Sequence, residues 1–258
     1  MSAVTEQTTG QTGGQAPELM IAQAGRVAAE RFPDALAVLL AGSAATGRAT
    51  ATSDLDLAVL VPDGGATYRE TVRYEGRLVE LFVHTGAGLA ELRAADAASR
   101  RAVIQSMYAT GLLLSDPHGH GARAREQALA DLRQGPPALA ADTVETMRYG
   151  LTDLLDDLAD ARDPYERLAV AGHVLTAAAD LLCDHRRAWL GGGKWLPRRL
   201  READGELGPE LLAGHRLLCE TGAAGPLSAV ARRVLDLTGG PLAEGYRRDW
   251  GGAIVRTV

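Results

Sequence analysis

The chain has 258 residues and a net charge of −6, with 46% hydrophobic and 23% charged side chains. That is enough apolar matter for one or two packed domains and excludes gross disorder, while the acidic balance disfavours a protein that coats nucleic acid. No apolar run approaches the roughly 20 residues that cross a bilayer. Met1 to Gln15 lacks the basic start and apolar stretch of a secretory signal, and the two cysteines, Cys183 and Cys219, make no disulfide scaffold. No membrane association is expected, and a reducing cytoplasm is the expected compartment.

Residues 1–16, with their Gly, Gln, Ser and Thr, read as a loose tail. A helix is expected from about Pro17 to Phe32, because Leu19, Ile21, Ala24, Val27, Ala28 and Ala29 give it an apolar side. Pro33-Asp34 ends it. Leu36 to Ala41 and Leu55 to Val61 are short apolar runs of buried-strand type, joined by a Gly/Ser/Thr/Ala loop. Tyr68 to Tyr74 and Arg77 to His84 read as paired strands around Glu75-Gly76, a turn less typical than Asn-Gly. Helices are expected near 87–96 and 98–109, a short strand over Leu112 to Leu114, and a helix near 121–133.

Gly135-Pro136-Pro137 marks a boundary. Beyond it the pattern is helical throughout, near 139–161, 165–189, 196–204, 208–220 and 226–238, as in a bundle. The expected organisation is α+β. A domain over 17–135 holds a small mixed sheet, and an all-α bundle domain over 136–258 follows it.

The chemistry concentrates in LLAGSAATGRATATSDLDLAVLV, residues 39–61. Alternate side chains of a strand share a face, so Asp54 and Asp56 project together at one end of a buried sheet. Two carboxylates held so close repel unless a cation lies between them, and an oxygen-rich site suits Mg²⁺ completed by phosphates. Gly42 lets the backbone approach a ligand closely. Ser43 can cap a short helix whose N–H groups face an anion, and its hydroxyl can donate to a phosphate oxygen. Glu80 interrupts the apolar strand Leu78-Val79-Glu80-Leu81-Phe82-Val83, where a lone carboxylate without a partner is unfavourable. It is the candidate third acid for a two-metal site.

These residues resemble the polymerase-beta-type nucleotidyltransferase superfamily: Gly-Ser, a spacer of this size, Asp-x-Asp on a strand, and a later carboxylate between apolar residues. The text GSAATGRATATSDLDLAVLV is most similar to antibiotic nucleotidyltransferases of the aminoglycoside type. The motif covers about residues 36–84. The resemblance implies a nucleotidyltransferase catalytic domain over 17–135 and a helical substrate-binding domain over 136–258, with substrate between the two. It implies that Asp54 and Asp56 bind two Mg²⁺ ions and that Gly42 and Ser43 hold the triphosphate of an NTP co-substrate, ATP by preference. Glu80 would be a metal ligand or the general base. Arg48 follows Gly47, where the family more often has a small residue, and is a candidate phosphate contact.

The reaction so implied is Mg²⁺-dependent transfer of an NMP to a hydroxyl of a small antibiotic-like acceptor, with pyrophosphate released. Two alternatives stay open. One is a protein adenylyltransferase of toxin or antitoxin type, against which the large helical half counts. The other is a non-catalytic nucleotide-binding regulator, against which all three carboxylates count. RNA tailing is disfavoured by the acidic balance and the scarcity of aromatic residues for stacking. Oligomeric state is not legible in the sequence.

In the second half, Lys194 is the single Lys among 27 basic side chains, and it follows Gly191-Gly192-Gly193. The resemblance implies a Lys from the helical domain near the triphosphate, with Arg198 and Arg199 as neighbouring cations. His173, Thr176, Asp180, Asp184 and Arg187 share one face of their helix. His173, Asp180 and Asp184 are therefore substrate-binding candidates, with Asp180 or Asp184 as an alternative general base, against the simpler reading of a solvated stripe. Asp153, Asp156, Asp157 and Asp160 share a face of the preceding helix, which suits a polycationic acceptor or is simply solvated. The pairs Cys183/His185 and His215/Cys219 lack zinc spacing. No G-x-G-x-x-G or Walker loop is present.

Overall fold

A computed structural model of the chain describes residues 15–248, with side chains described from Glu18 onward. The tail expected over 1–16 lies almost entirely outside the described residues. The chain divides into two compact units, one ending at Gln134 and one beginning at Gly135.

In the first unit, α1 (Gln15–Arg31) leads into β1 (Ala37–Ala41), and a single-turn α2 (Gly42–Ala45) leads to β2 (Leu55–Leu60). There follow β3 (Tyr68–Tyr74), β4 (Arg77–His84), α3 (Gly86–Ser99), α4 (Val103–Thr110), β5 (Leu112–Ser115) and α5 (His120–Gln134). The five strands form one mixed sheet in the order β3-β4-β2-β1-β5; β2 runs parallel to β4, and the other neighbours are antiparallel.

Both faces of the central strands are covered, which is why β1 and β2 read as unbroken apolar runs. Met20, Ala24 and Val27 of α1 pack against one face, on Leu40, Leu57 and Leu81. Leu89 of α3, with Met107 and Tyr108 of α4, packs against the other, on Leu39, Ala58 and Leu60. Leu39, Leu57 and Leu81 are fully buried, and each such leucine contributes about 2 kcal/mol of apolar transfer free energy.

The hairpin forms where the sequence places it, with Tyr74 paired to Arg77. Glu75 (φ 46°) and Gly76 (φ 81°) both take positive φ, as a two-residue primed turn requires. Glu75 is an unusual residue there, and Arg26 of α1 holds it by a two-pronged ion pair at 2.6 and 3.2 Å. The helices expected near 87–96 and 98–109 break later: α3 runs on to Ser99, and α4 starts at Val103. Left-handed Arg100 and Ala102 make the break, and the Asp96 carboxylate accepts the Ile104 N–H at 2.6 Å.

The second unit contains helices α6 (Ala141–Asp160), α7 (Pro164–His185), α8 (Leu196–Ala203), α9 (Leu207–Thr221) and α10 (Gly225–Leu237), with a 3₁₀ turn at Gly193–Trp195. Asp163 caps α7, accepting the N–H groups of Tyr165 and Glu166, and Pro164 sits in the first turn, where its missing donor does no harm. The unit's core joins Leu151 and Leu155 of α6, Leu182 of α7, Leu200 of α8, Leu211 of α9 and Leu235 of α10. The expected α+β sheet domain followed by helices is the architecture observed.

Candidate active site

The site lies where β1 ends and β2 begins. Asp56 is the second residue of β2 and pairs with Ala41, the last residue of β1, on one side and with Glu80 of β4 on the other. Parallel pairing sets Asp56 and Glu80 side by side on the face that carries Ala58 and Leu60 further along. Asp54 precedes the strand by one residue. One carboxylate oxygen from each of Asp54, Asp56 and Glu80 lies within 4.8 Å of the others, and all three residues are half-buried. Among the described residues this is the one group of three or more His, Cys, Asp or Glu side chains able to hold a metal ion.

Three local features place these acids. Gly42 follows β1 with φ +66°, and a Cβ there would stand 1.8 Å from Asp56 Oδ2, so only glycine leaves room for that carboxylate. The loop before Asp54 is a turn in which Ser53 N–H donates to Thr50 O at 3.1 Å and Thr50 N–H donates to Ser53 Oγ at 2.8 Å. Arg77, at the start of β4, donates Nη1 to Ser53 O at 2.6 Å and Nε to Gln23 Oε1 at 3.1 Å. Gln23 of α1 donates in turn to Tyr74 O at 3.0 Å. The Asp54 loop is thus tied through Arg77 to helix and hairpin together.

Ser43 departs from its expected capping role. It lies inside the short α2, whose N-cap residue is Ala41, and no side chain caps it. The half-buried Ser43 hydroxyl makes no hydrogen bond to another described residue. Arg48 is exposed on the turn after α2, its N–H donating to Ser43 O at 2.9 Å.

Arg69 and Arg77 are the contacts that sequence reasoning missed. Arg69 Nη2 donates to Glu80 Oε2 at 2.7 Å. Its signal was present in the hairpin: a two-residue turn at 75–76 pairs Arg69 with Phe82, diagonal to Glu80 on the same face.

The remaining candidates belong to the second unit. Lys194 and His173 are exposed, Asp180 is half-buried, and Asp184 accepts the Leu139 N–H at 3.3 Å. Lys194 precedes Trp195, over whose ring the Arg198 and Arg199 guanidinium groups stand at 4.8 and 5.4 Å. Asp153, Asp156, Asp157 and Asp160 of α6 are all exposed.

Three carboxylates thus converge beside a Gly-Ser turn, a group that could hold a metal ion. Residues 23–85 match the family model described as nucleotidyltransferase domain, a stretch holding Gly42, Ser43, Asp54, Asp56 and Glu80. The match bears out the polymerase-beta-type resemblance and supports transferase activity of the nucleotidyl type. Over 85% of its length the chain is similar to 74% of a nucleotidyltransferase-like protein from Exiguobacterium sibiricum 255-15, at 14% identity and a TM-score of 0.41. Comparison with curated proteins gives no match. No described helix is long and apolar enough to cross a membrane.

The residues present fit a divalent ion. The donors are all carboxylate oxygens, the preference of hard cations such as Mg²⁺. Glu80 already recruits a cation, Arg69.

Proposed function

We propose that this protein is a Mg²⁺-dependent nucleotidyltransferase that moves an NMP, AMP by preference, from an NTP to a hydroxyl of a small antibiotic-like molecule and releases pyrophosphate. The observation that carries this reading is the convergence of Asp54, Asp56 and Glu80 within 4.8 Å beside Gly42-Ser43. The match of residues 23–85 to a nucleotidyltransferase domain supports it.

Asp54, Asp56 and Glu80 would hold two Mg²⁺ ions, as in the two-metal sites of other nucleotide-transferring enzymes. Bound there, the ions supply charge neutralisation for the triphosphate and acidify the acceptor hydroxyl. Ser43 donates its hydroxyl to a phosphate oxygen. Arg48 supplies further positive charge to the phosphates. Glu80 takes the acceptor's proton. Positioning and charge stabilisation then provide most of the acceleration. The exposed acidic face of α6 supports a cationic acceptor. A cytoplasmic setting, where NTP is available, belongs to the same reading.

A screen of the four NTPs against a panel of small hydroxylated amines, with pyrophosphate as the signal, tests the proposal. One NTP–acceptor pair should release pyrophosphate in wild type and not in Asp56→Asn. Pyrophosphate release that persists unchanged in Asp56→Asn contradicts it.

A further inference from the structure

Three carboxylates whose oxygens lie within 4.8 Å repel one another, and a folded protein carries that repulsion whenever no metal is bound. Arg69 relieves part of it at Glu80. Arg69 stands on β3 across from Phe82, with its guanidinium 4.9 Å from that ring's centroid and Nη2 2.7 Å from Glu80 Oε2. The Phe82 ring holds the guanidinium on the site's face of the sheet. The Arg69 side chain is 61% exposed and that of Glu80 only 21%. An ion pair so open to water is weak and easily exchanged for a stronger cation.

Glu80 does not need Arg69 for its placement. Its backbone is held on both sides, by Asp56 of β2 and Thr71 of β3. What Arg69 adds is charge: it draws electron density from a ligand oxygen and repels an approaching dication.

We propose that Arg69 is the resident counter-cation of the carboxylate site, paired with Glu80 while no metal is bound and competing with the incoming divalent ion. It offsets part of the bare site's negative charge and lowers its metal affinity. The inference rests on the metal-site reading above and deepens it, since it concerns how the site is loaded.

The test is Mn²⁺ binding to the whole protein without nucleotide, read from the electron-paramagnetic signal of free Mn²⁺. Arg69→Ala and Arg69→Gln, which remove the charge, should each tighten binding roughly threefold to tenfold, whereas Arg69→Lys, which keeps it, should stay close to wild type. Arg69→Gln retains much of the side chain's length, so it keeps the test alive if the alanine variant folds poorly. Unchanged or weaker binding in Arg69→Gln, with Asp56→Asn still weakening binding, overturns the counter-cation role and leaves the metal site standing. If Asp56→Asn binds Mn²⁺ like wild type, the metal-site reading itself fails and this inference with it.

Discussion

The Asp56 carboxylate occupies the space in which a side chain at Gly42 would begin, with Oδ2 1.8 Å from the position of a Cβ there. Gly42 also takes φ +66°, where an L-residue is strained by about 1–2 kcal/mol. Gly42→Ala therefore strains the end of β1 and displaces the Asp56 carboxylate from its place in the trio. The expected result is a modest fall in thermal stability together with a loss of nucleotidyl transfer of tenfold or more and weaker Mn²⁺ binding. Calorimetry and a metal titration on the same preparation check it. A variant with unchanged metal binding would show that the close approach has no bearing on the site.

Arg77 acts one step away, on the backbone beside Asp54. Arg77→Met keeps the length of the side chain and removes its bonds to Ser53 O and Gln23 Oε1. A charged donor on a carbonyl contributes about 1.5–3 kcal/mol, and the loop at 50–54 should loosen by a comparable amount. The maximal rate should fall more than the affinity for NTP, Arg77→Lys should recover part of it, and amide exchange at Ser53 and Asp54 should accelerate. Equal exchange in wild type and Arg77→Met would place the control of the loop elsewhere.

The sheet and the carboxylate trio were legible because each leaves a local mark. Apolar runs bounded by Gly and Pro gave the strands, and a lone Glu80 inside such a run signals an unusual partner. What stayed hidden depends on register and backbone shape. The sequence suggests that Gly42 makes room for a ligand, whereas the group it admits is the protein's own Asp56. Ser43 was expected to cap α2, but a four-residue turn starting at Gly42 puts it inside. Arg69 became visible only through hairpin pairing, and Arg77 only through the path of the loop it holds. On α7, helical spacing puts Leu168 in line with Ala171 and Leu175, yet it is 43% exposed, because it lies in the first turns, ahead of the buried run that begins at Ala171.

His84 gives the fold an acid-sensitive point. It is 2% exposed, its Nδ1 lies 2.9 Å from the Tyr108 hydroxyl, and burial lowers its pKa to about 4 from 6.5. Burial also raises the Tyr108 pKa, so the phenol stays protonated. The folded-state value of His84 is depressed, so below about pH 6.5 the unfolded chain takes up a proton that the folded chain refuses until about pH 4. Stability is therefore lost as pH falls through that window, by about 2 kcal/mol between pH 8 and pH 5. Urea unfolding at the two pH values, in wild type and His84→Gln, should show this much less acid sensitivity in the variant. Equal sensitivity would mean that His84 does not remain neutral in the fold.

Whether Asp54, Asp56 and Glu80 support nucleotidyl transfer is decided by following two labels through one turnover. NTP labelled at the α-phosphorus and NTP labelled at the γ-phosphorus are each incubated with the acceptor and Mg²⁺. The α-label should appear on the acceptor and the γ-label in pyrophosphate, and Asp56→Asn should abolish both. Appearance of the γ-label on the acceptor, or transfer by Asp56→Asn at the wild-type rate, would contradict that role.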